Sequence, residues 1–427
     1  MSPFYEQIQS HNKGAWVIHH SQKTAGTVNG AAEFPALDAA GKAAALLSQM
    51  AATSQATLDK SRVNALAKAA GLSRIELPEL LRVLEGRRLI EMSADGGVEV
   101  LGLTSRATVQ HAAEIFEEQD PSPEERASIV LAEATSAAPV PQAQLVEFVS
   151  DEFRMGTPQC RELLVRSETV GFVDAEGQNA DKLYFNGNLF RRDNLVKVRR
   201  VLDSLSGAEQ AKVAELDETL ARRGCLDIGT VEANLGKRLF EKLRAAGMYD
   251  VNHVANPSGE YGFVTRPAAF HKFNDPLVDD AFDLAKALVA ALSYGMTQSV
   301  ASRGRIDMIG ALLRKLINGW SVGPATAIGE DYRVLETKGV IQVTPGASYG
   351  YMMRLRKRDI GEMALQVLIT GEAASTNVVD RPLPGTMTGY AGPEKTRSAF
   401  RRKQKEVPVS RRGTEDVLQA LRTQGKF

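Results

Sequence analysis

The side chains able to do chemistry are few and scattered in this sequence. His19 and His20 are adjacent. Read within a strand-like stretch from Trp16 to His20, they face opposite sides and cannot chelate one ion together. His11, His111, His253 and His271 have no second His or Cys at the short spacings of a zinc motif. Cys160 and Cys225 are the only cysteines, too few for a disulfide framework or a thiolate cage, and both thiols are expected to be free. No G-x-x-x-x-G-K phosphate loop occurs, and Ser302-Arg303-Gly304-Arg305 lacks its spacing. No G-x-S-x-G turn presents a nucleophile. Carboxylates such as Asp279-Asp280 fall at a helix start, where they complement the helix dipole. These patterns predict a protein that is not an enzyme, with no catalytic residue, metal or cofactor.

What remains is cationic chemistry. Clustered Lys and Arg neutralise phosphates and release their counterions. One cluster is Lys237, Arg238, Lys242 and Arg244, set against Glu241. A second is Arg191, Arg192, Lys197, Arg199 and Arg200, with Asp193 among them. A third is Arg354, Arg356, Lys357 and Arg358. A fourth is Arg401-Arg402-Lys403, followed by Lys405 and Arg411-Arg412. The competing reading of any such run is a solvated face, or an arm that docks on an acidic partner. Lys plus Arg equals Asp plus Glu at 52 each, so a nucleic-acid surface must be a local patch.

The elements that would position these residues follow from hydrophobic period. At 427 residues the chain has room for two to four domains, with 43% hydrophobic residues to fill their cores. Residues 1–34 are not placed by pattern. From Pro35 a helix (Leu37, Ala40, Ala44, Leu47, Met50) is followed by a second over Thr57–Gly71 and a third over Ile75–Arg88. Leu89–Met92, an Asp95-Gly96-Gly97 turn and Val98–Leu101 then form a hairpin. The order recurs. Ser122 and Glu125 make a capping box before a helix, with further helices over Gln142–Glu152 and Thr157–Val170 and strands at Gly171–Val173 and Leu183–Phe185. Ser206 and Glu209 open a third set, with helices Gly207–Arg223, Ile228–Leu235 and Lys237–Ala246 and a hairpin from Gly247 to Val264. The fourth has helices Pro276–Met296 (capped by Asp275), Ile306–Ile317 and Ala325–Lys338, a hairpin from Gly339 to Leu355, and a further helix Ile360–Ile369.

Arg88, Gly171, Gly247 and Gly339 mark the same helix-to-strand junction, spaced 83, 76 and 92 residues apart. Three glycines there suit a helix end that needs a left-handed residue. Uneven spacing indicates an array of domains rather than a solenoid. The expected division is 35–104, 105–187, 188–268 (with the basic lead-in) and 269–372. A linker and basic tail follow over 373–427, with ten Lys or Arg against four acids from Ala391 onward and a short helix at Thr414–Arg422.

The second and third helices plus hairpin resemble those of the winged-helix superfamily, over about residues 35–372. The nearest likeness is LAKAAGLSRIELPELLRVLEGRRLIEM. The resemblance implies a mainly α fold with small β-hairpins (α+β): four tandem winged-helix units and a disordered basic tail. In that superfamily the third helix commonly enters a DNA major groove while the wing touches the backbone. The implied function is binding of nucleic acid, double-stranded DNA above all, in a regulatory or architectural role. Two alternatives stand. One is a non-enzymatic adaptor whose winged-helix faces dock on a partner, such as a chromosome-organising or defence ATPase complex, or on another copy. The other is a protein like a plasmid replication initiator. Third-helix charge differs between the units: Lys237–Arg244 is the most basic, whereas Glu330, Asp331 and Glu336 make the fourth acidic. No apolar run reaches the ~18 residues of a membrane span and no secretion signal leads the chain, so a cytoplasmic location is expected.

Overall fold

The computed structural model describes residues 3–371, apart from 28, 52–56, 71, 94–95, 102–104, 179–181, 191–194, 257–258, 274–278 and 348. The proposed turn at Asp95, the cap at Asp275 and everything assigned to 373–427 lie outside the described residues.

The chain is mainly helical. It starts with α1 (Phe4–Gln7), α2 (Ser10–Thr24), α3 (Gly30–Glu33) and α4 (Pro35–Ala51). The stretch Trp16–His20 is helix, not strand. Residues 14–21 are buried on every side of α2, so no amphipathic period shows in the sequence. A short apolar run fits a strand or a buried helix equally well.

Next come β1 (Thr57–Leu58), α5 (Lys60–Ala69), α6 (Glu76–Gly86), β2 (Ile90–Met92) and β3 (Val98–Val100). Thr57-Leu58, expected to start a helix, is instead strand, and Asp59 caps α5 by accepting from the Arg62 N–H at 2.7 Å. A helix absent from the expectations, α7 (Ser105–Glu118), leads to α8 (Pro123–Ala137), β4 (Val140–Pro141), α9 (Gln142–Phe153), α10 (Thr157–Val170), β5 (Asp174–Glu176) and β6 (Leu183–Phe185). Then follow α11 (Leu195–Asp203), α12 (Gly207–Arg223), β7 (Leu226–Asp227), α13 (Ile228–Leu235), α14 (Lys237–Ala245), β8 (Asp250–Asn256) and β9 (Gly259–Thr265). The last stretch has α15 (Ala268–His271), α16 (Asp279–Thr297), a 3-10 turn at Ala301–Arg303, α17 (Ile309–Ile317), β10 (Val322–Ala325), α18 (Thr326–Asp331), α19 (Arg333–Thr337), β11 (Ile341–Pro345), β12 (Tyr351–Leu355) and α20 (Arg358–Thr370).

Among the described residues twelve strands form four antiparallel three-stranded sheets, each with its short first strand paired to the third and the third to the second. Each sheet therefore encloses the same chain path: a helix, an edge strand, two helices, a hairpin. The fourth set departs from expectation. The predicted helix Ala325–Lys338 is broken, because Val322–Ala325 pair with β12 as strand β10 and the remainder splits at Tyr332 into α18 and α19. The helix ahead of β10 is α17, so α17 takes the place that α4, α8 and α12 hold in their sets. The long α16 is an addition, packed against β8 and α20.

The sets are not independent beads. One apolar cluster takes in α2, α4, α7, α8, α10 and the first two sheets, and recruits Phe273 from beyond the third. Its centre is α2. Trp16 donates from Nε1 to Glu133 Oε2 at 2.7 Å, and the buried Lys272 ammonium meets Glu133 Oε1 at 2.6 Å. Phe273 packs edge-on against the Trp16 ring at 4.6 Å. Glu125 joins two helix starts. Its Oε2 accepts from the Ser122 N–H in the α8 capping box, while Oε1 accepts from the backbone of Ala36 and Leu37 at 2.7 and 3.1 Å, in the first turn of α4. These bonds satisfy N–H groups that a helix start otherwise leaves orphaned.

Close helix approach requires glycine at two points. A Cβ on Gly14 would lie 1.8 Å from the carbonyl oxygen of Val109 in α7, and one on Gly41 would lie 2.1 Å from Ser21 Cβ. Gly86, in contrast, faces open space. Gly14→Ala is expected to destabilise the fold by at least the ~1–3 kcal/mol typical of overpacking. Gly86→Ala is expected to stabilise α6 by up to ~1 kcal/mol through helix propensity. Urea unfolding of the two variants against the parent checks both signs.

His20 provides a second test. Its ring stacks on Phe172 with centroids 3.9 Å apart, and its Nε2 lies 3.3 Å from the Ser128 carbonyl oxygen. That carbonyl can only accept, so Nε2 carries the proton, and Nδ1 accepts from His19 Nδ1 at 3.3 Å. Burial penalises the imidazolium and lowers the pKa to about 3, against the opposing pull of the Ser128 carbonyl. The unfolded chain takes up this proton near the ordinary pKa of ~6.5. The contribution is therefore intact above that pH and is lost as pH falls toward 3, by up to ~1.4 kcal/mol per pH unit. His20→Phe keeps the stack, and its unfolding free energy should fall less steeply between pH 6 and 4. Equal slopes would show that His20 does not titrate on unfolding.

Candidate nucleic-acid interface

In the third set, α14 buries Leu239, Phe240 and Leu243 and leaves Lys237, Arg238, Glu241, Lys242 and Arg244 exposed. The helix forms because its apolar residues recur at helical spacing, and it starts after Gly236, whose φ of 81° lies in the left-handed region. Lys237, Arg238, Lys242 and Arg244 make no salt bridge with any described residue, although Glu241 shares their face.

The second basic cluster is divided. Arg191 and Arg192 lie outside the described residues. Lys197, Arg199 and Arg200 are on α11, whose Leu195 and Val198 are buried with Ala246 at the end of α14 and packed on by Met248. Tertiary packing thus sets α11 against α14. Lys197 and Arg200 are exposed, while Arg199 is held by Asp203 at 2.7 Å, one turn on. Lys197 and Arg200 thus lie on a helix packed against the end of α14.

The strands of this hairpin are partly covered, although Ala255, Gly259 and Glu260 toward its turn are exposed. Strands β8 and β9 carry no Lys or Arg. Phe263 and Val254 are buried in the cluster that contains α16 and α20, and Tyr261 packs on Tyr294 at 4.7 Å. Asp250 is paired with the buried Lys286 at 2.8 Å, and the Asn256 side chain donates to Asp331 at 3.0 Å.

The third cluster lies in the fourth set. Arg354 is exposed on β12 opposite Gln342, Arg356 and Lys357 follow it, and Arg358 is held by Glu362 at 2.7 Å. Two of the acids expected to repel phosphate here share one cation. Glu330 and Asp331 both receive the Arg303 guanidinium, at 2.7 and 2.8 Å, and Asp331 is buried. Only Glu336 of those three remains without such a partner. Arg303 has no detectable role in the sequence, because its acids lie 27 and 28 residues away. The fourth cluster, Arg401, Arg402 and Lys403, lies outside the described residues.

The third helices of the first two sets carry mixed charge. Lys42 takes Glu76 at 2.8 Å, and Arg87 takes Glu114 and Glu118 at 2.7 and 2.5 Å. Lys182 takes Glu168 at 2.7 Å. Both cysteines are buried and unpaired. Among the described residues no group of three His, Cys, Asp or Glu side chains could hold a metal, and no helix is long and apolar enough to cross a membrane.

No family model matches the chain, and neither a curated protein nor a solved structure matches it.

Proposed function

We propose that the chain is a tandem winged-helix protein that binds double-stranded nucleic acid, DNA above all, through its third unit. The observation that carries the reading is the exposed α14 face, with Lys237, Arg238, Lys242 and Arg244 making no salt bridge with a described residue and Lys197 and Arg200 on α11, which packs against α14. Four sheets with one strand order, each around the same helix–strand–helix–helix–hairpin path, support the winged-helix assignment. In such a unit α14 holds the position of the recognition helix. The partly covered hairpin, which carries Asp250 and Glu260 but no Lys or Arg, shifts the phosphate contacts from a wing to α11. The role is regulatory or architectural.

A second reading has its own observation. The third helices of the first two units carry exposed apolar residues, with Ile75 88% exposed just ahead of α6 and Val165 52% exposed on α10, next to mixed charge. Those helices suit docking on a protein partner or a second copy, and an adaptor could use them while the third unit holds nucleic acid.

The test is a duplex-DNA titration at several salt concentrations. Replacing Lys237, Arg238, Lys242 and Arg244 by Ala should flatten the log K against log salt slope by about 3–4 and weaken binding uniformly across sequences. An unchanged slope would remove α14 from the interface.

A further inference from the structure

The fourth set offers a surface of different chemistry. The chain has two Trp residues. Trp16 is 1% exposed at the core, whereas Trp320 is 65% exposed. An indole left in water forgoes a large burial gain, so its surroundings matter. Trp320 sits in the turn after α17, its backbone N–H donating to the Lys315 carbonyl at 3.1 Å. Two residues later β10 begins, with Val322 opposite Met353 of β12. Trp320 thus leads into the strand that pairs with β12, and at that same end of the sheet the chain leaves β12 through Arg354, Arg356 and Lys357. The last turn of α17 contributes Arg314 and Lys315. All five cations are exposed, and none makes a salt bridge with a described residue. The acids of α20 are otherwise engaged: Glu362 is held by Arg358, and Asp359 lies in the first turn, where it offsets the helix dipole.

We infer that this end of the fourth sheet binds single-stranded nucleic acid, with an unpaired base stacked on Trp320 and the adjoining phosphates on Arg354, Arg356, Lys357, Arg314 and Lys315. An aromatic platform flanked by cations is the chemistry that such strands require, because every base has a π-face and every linkage a charge. The cationic surround selects a polyanion over an apolar peptide. Duplex is a poor fit, since its bases are already stacked. The helix ahead of this hairpin is also ill suited to a groove, because α19 has five residues and exposes Val334 and Glu336. The site is separate from the α14 surface and does not rest on the duplex reading.

Trp320 is its own reporter, since the Trp16 ring is enclosed. Titrating the full chain with oligo(dT) should quench the exposed Trp emission saturably, and blunt duplex of equal length should quench it far less. Trp320→Ala should weaken oligo(dT) binding by about 5- to 150-fold, the range for loss of one stacked base. Trp320→Phe keeps a ring, so it should retain most of the affinity while losing the signal. Combined R354A, R356A and K357A should make the salt slope shallower by about 2. The K237A, R238A, K242A and R244A variant should leave the quench intact, which separates failure of this site from failure of the duplex reading. No quench at saturating oligo(dT), equal quenching by duplex, parent-like affinity of Trp320→Ala, or loss of the quench in the α14 variant would each overturn the inference.

Discussion

The fold depends on a helix with no exposed face over its middle two turns. From Gly14 to Ser21, α2 is buried on every side, so its neighbours must pack around it. Two consequences follow. The approach of α4 and α7 is set by backbone contact at Gly41 and Gly14, where no Cβ fits. The polar edge of Trp16 must also find a partner inside the protein, since a buried donor without one costs ~1–3 kcal/mol. Glu133 supplies it, and its second oxygen takes the Lys272 ammonium. A charge pair at that depth stabilises only when its remaining lone pairs and protons are satisfied. Here the indole N–H and the flanking Trp16 and Phe273 rings do so. One carboxylate thus ties the start of the chain, the second set and the segment after the third into a single core.

A second lock joins the third and fourth sets. A Cβ on Gly371 would lie 1.9 Å from the Ala221 carbonyl oxygen, and one on Gly224 would lie 2.6 Å from that of Val367. The ends of α12 and α20 therefore touch backbone to backbone. The β8–β9 hairpin is pressed on α16 as well, through Tyr261, Phe263 and the Lys286–Asp250 pair. Helices such as α14 keep their outer faces free, but the hairpin beside α14 has become part of an interior interface. The same structural unit can so expose different parts of itself at different points along the chain. Repetition of a fold does not imply repetition of a contact.

This distinction matters for charge. Counting residues makes the third helix of the fourth set acidic, yet Arg303 occupies Glu330 and Asp331 from a separate turn. Counting also makes the run from Arg191 to Arg200 basic, yet Arg199 is held by Asp203. Among the described residues, the exposed cations without a salt bridge include Lys237, Arg238, Lys242 and Arg244 of α14, Lys197 and Arg200 of α11, and Arg314, Lys315, Arg354, Arg356 and Lys357 of the fourth set.

The sequence by itself determined what depends on near neighbours. The capping boxes at Ser122 and Ser206, the helices α4, α6, α8, α10, α12 and α14, the hairpins and the left-handed glycines at residues 171, 247 and 339 all follow from residues within one or two turns of each other. Lys237, Arg238, Lys242 and Arg244 were legible for the same reason, since one helix face displays them. Elements without a local period were not legible. These include α2, enclosed on all sides; the two-residue edge strands β1, β4 and β7, whose partners lie about forty residues away; and the break at Tyr332, where β10 is recruited by β12; the helices α7 and α11 also stood outside the expectations although their apolar residues recur at helical spacing. Only the tertiary structure decided which hairpin packs inward, which acids meet Arg303, and that Trp320 is left exposed ahead of the strand that pairs with β12. Those outcomes rest on contacts between residues far apart in the chain, whose energies no local spacing records.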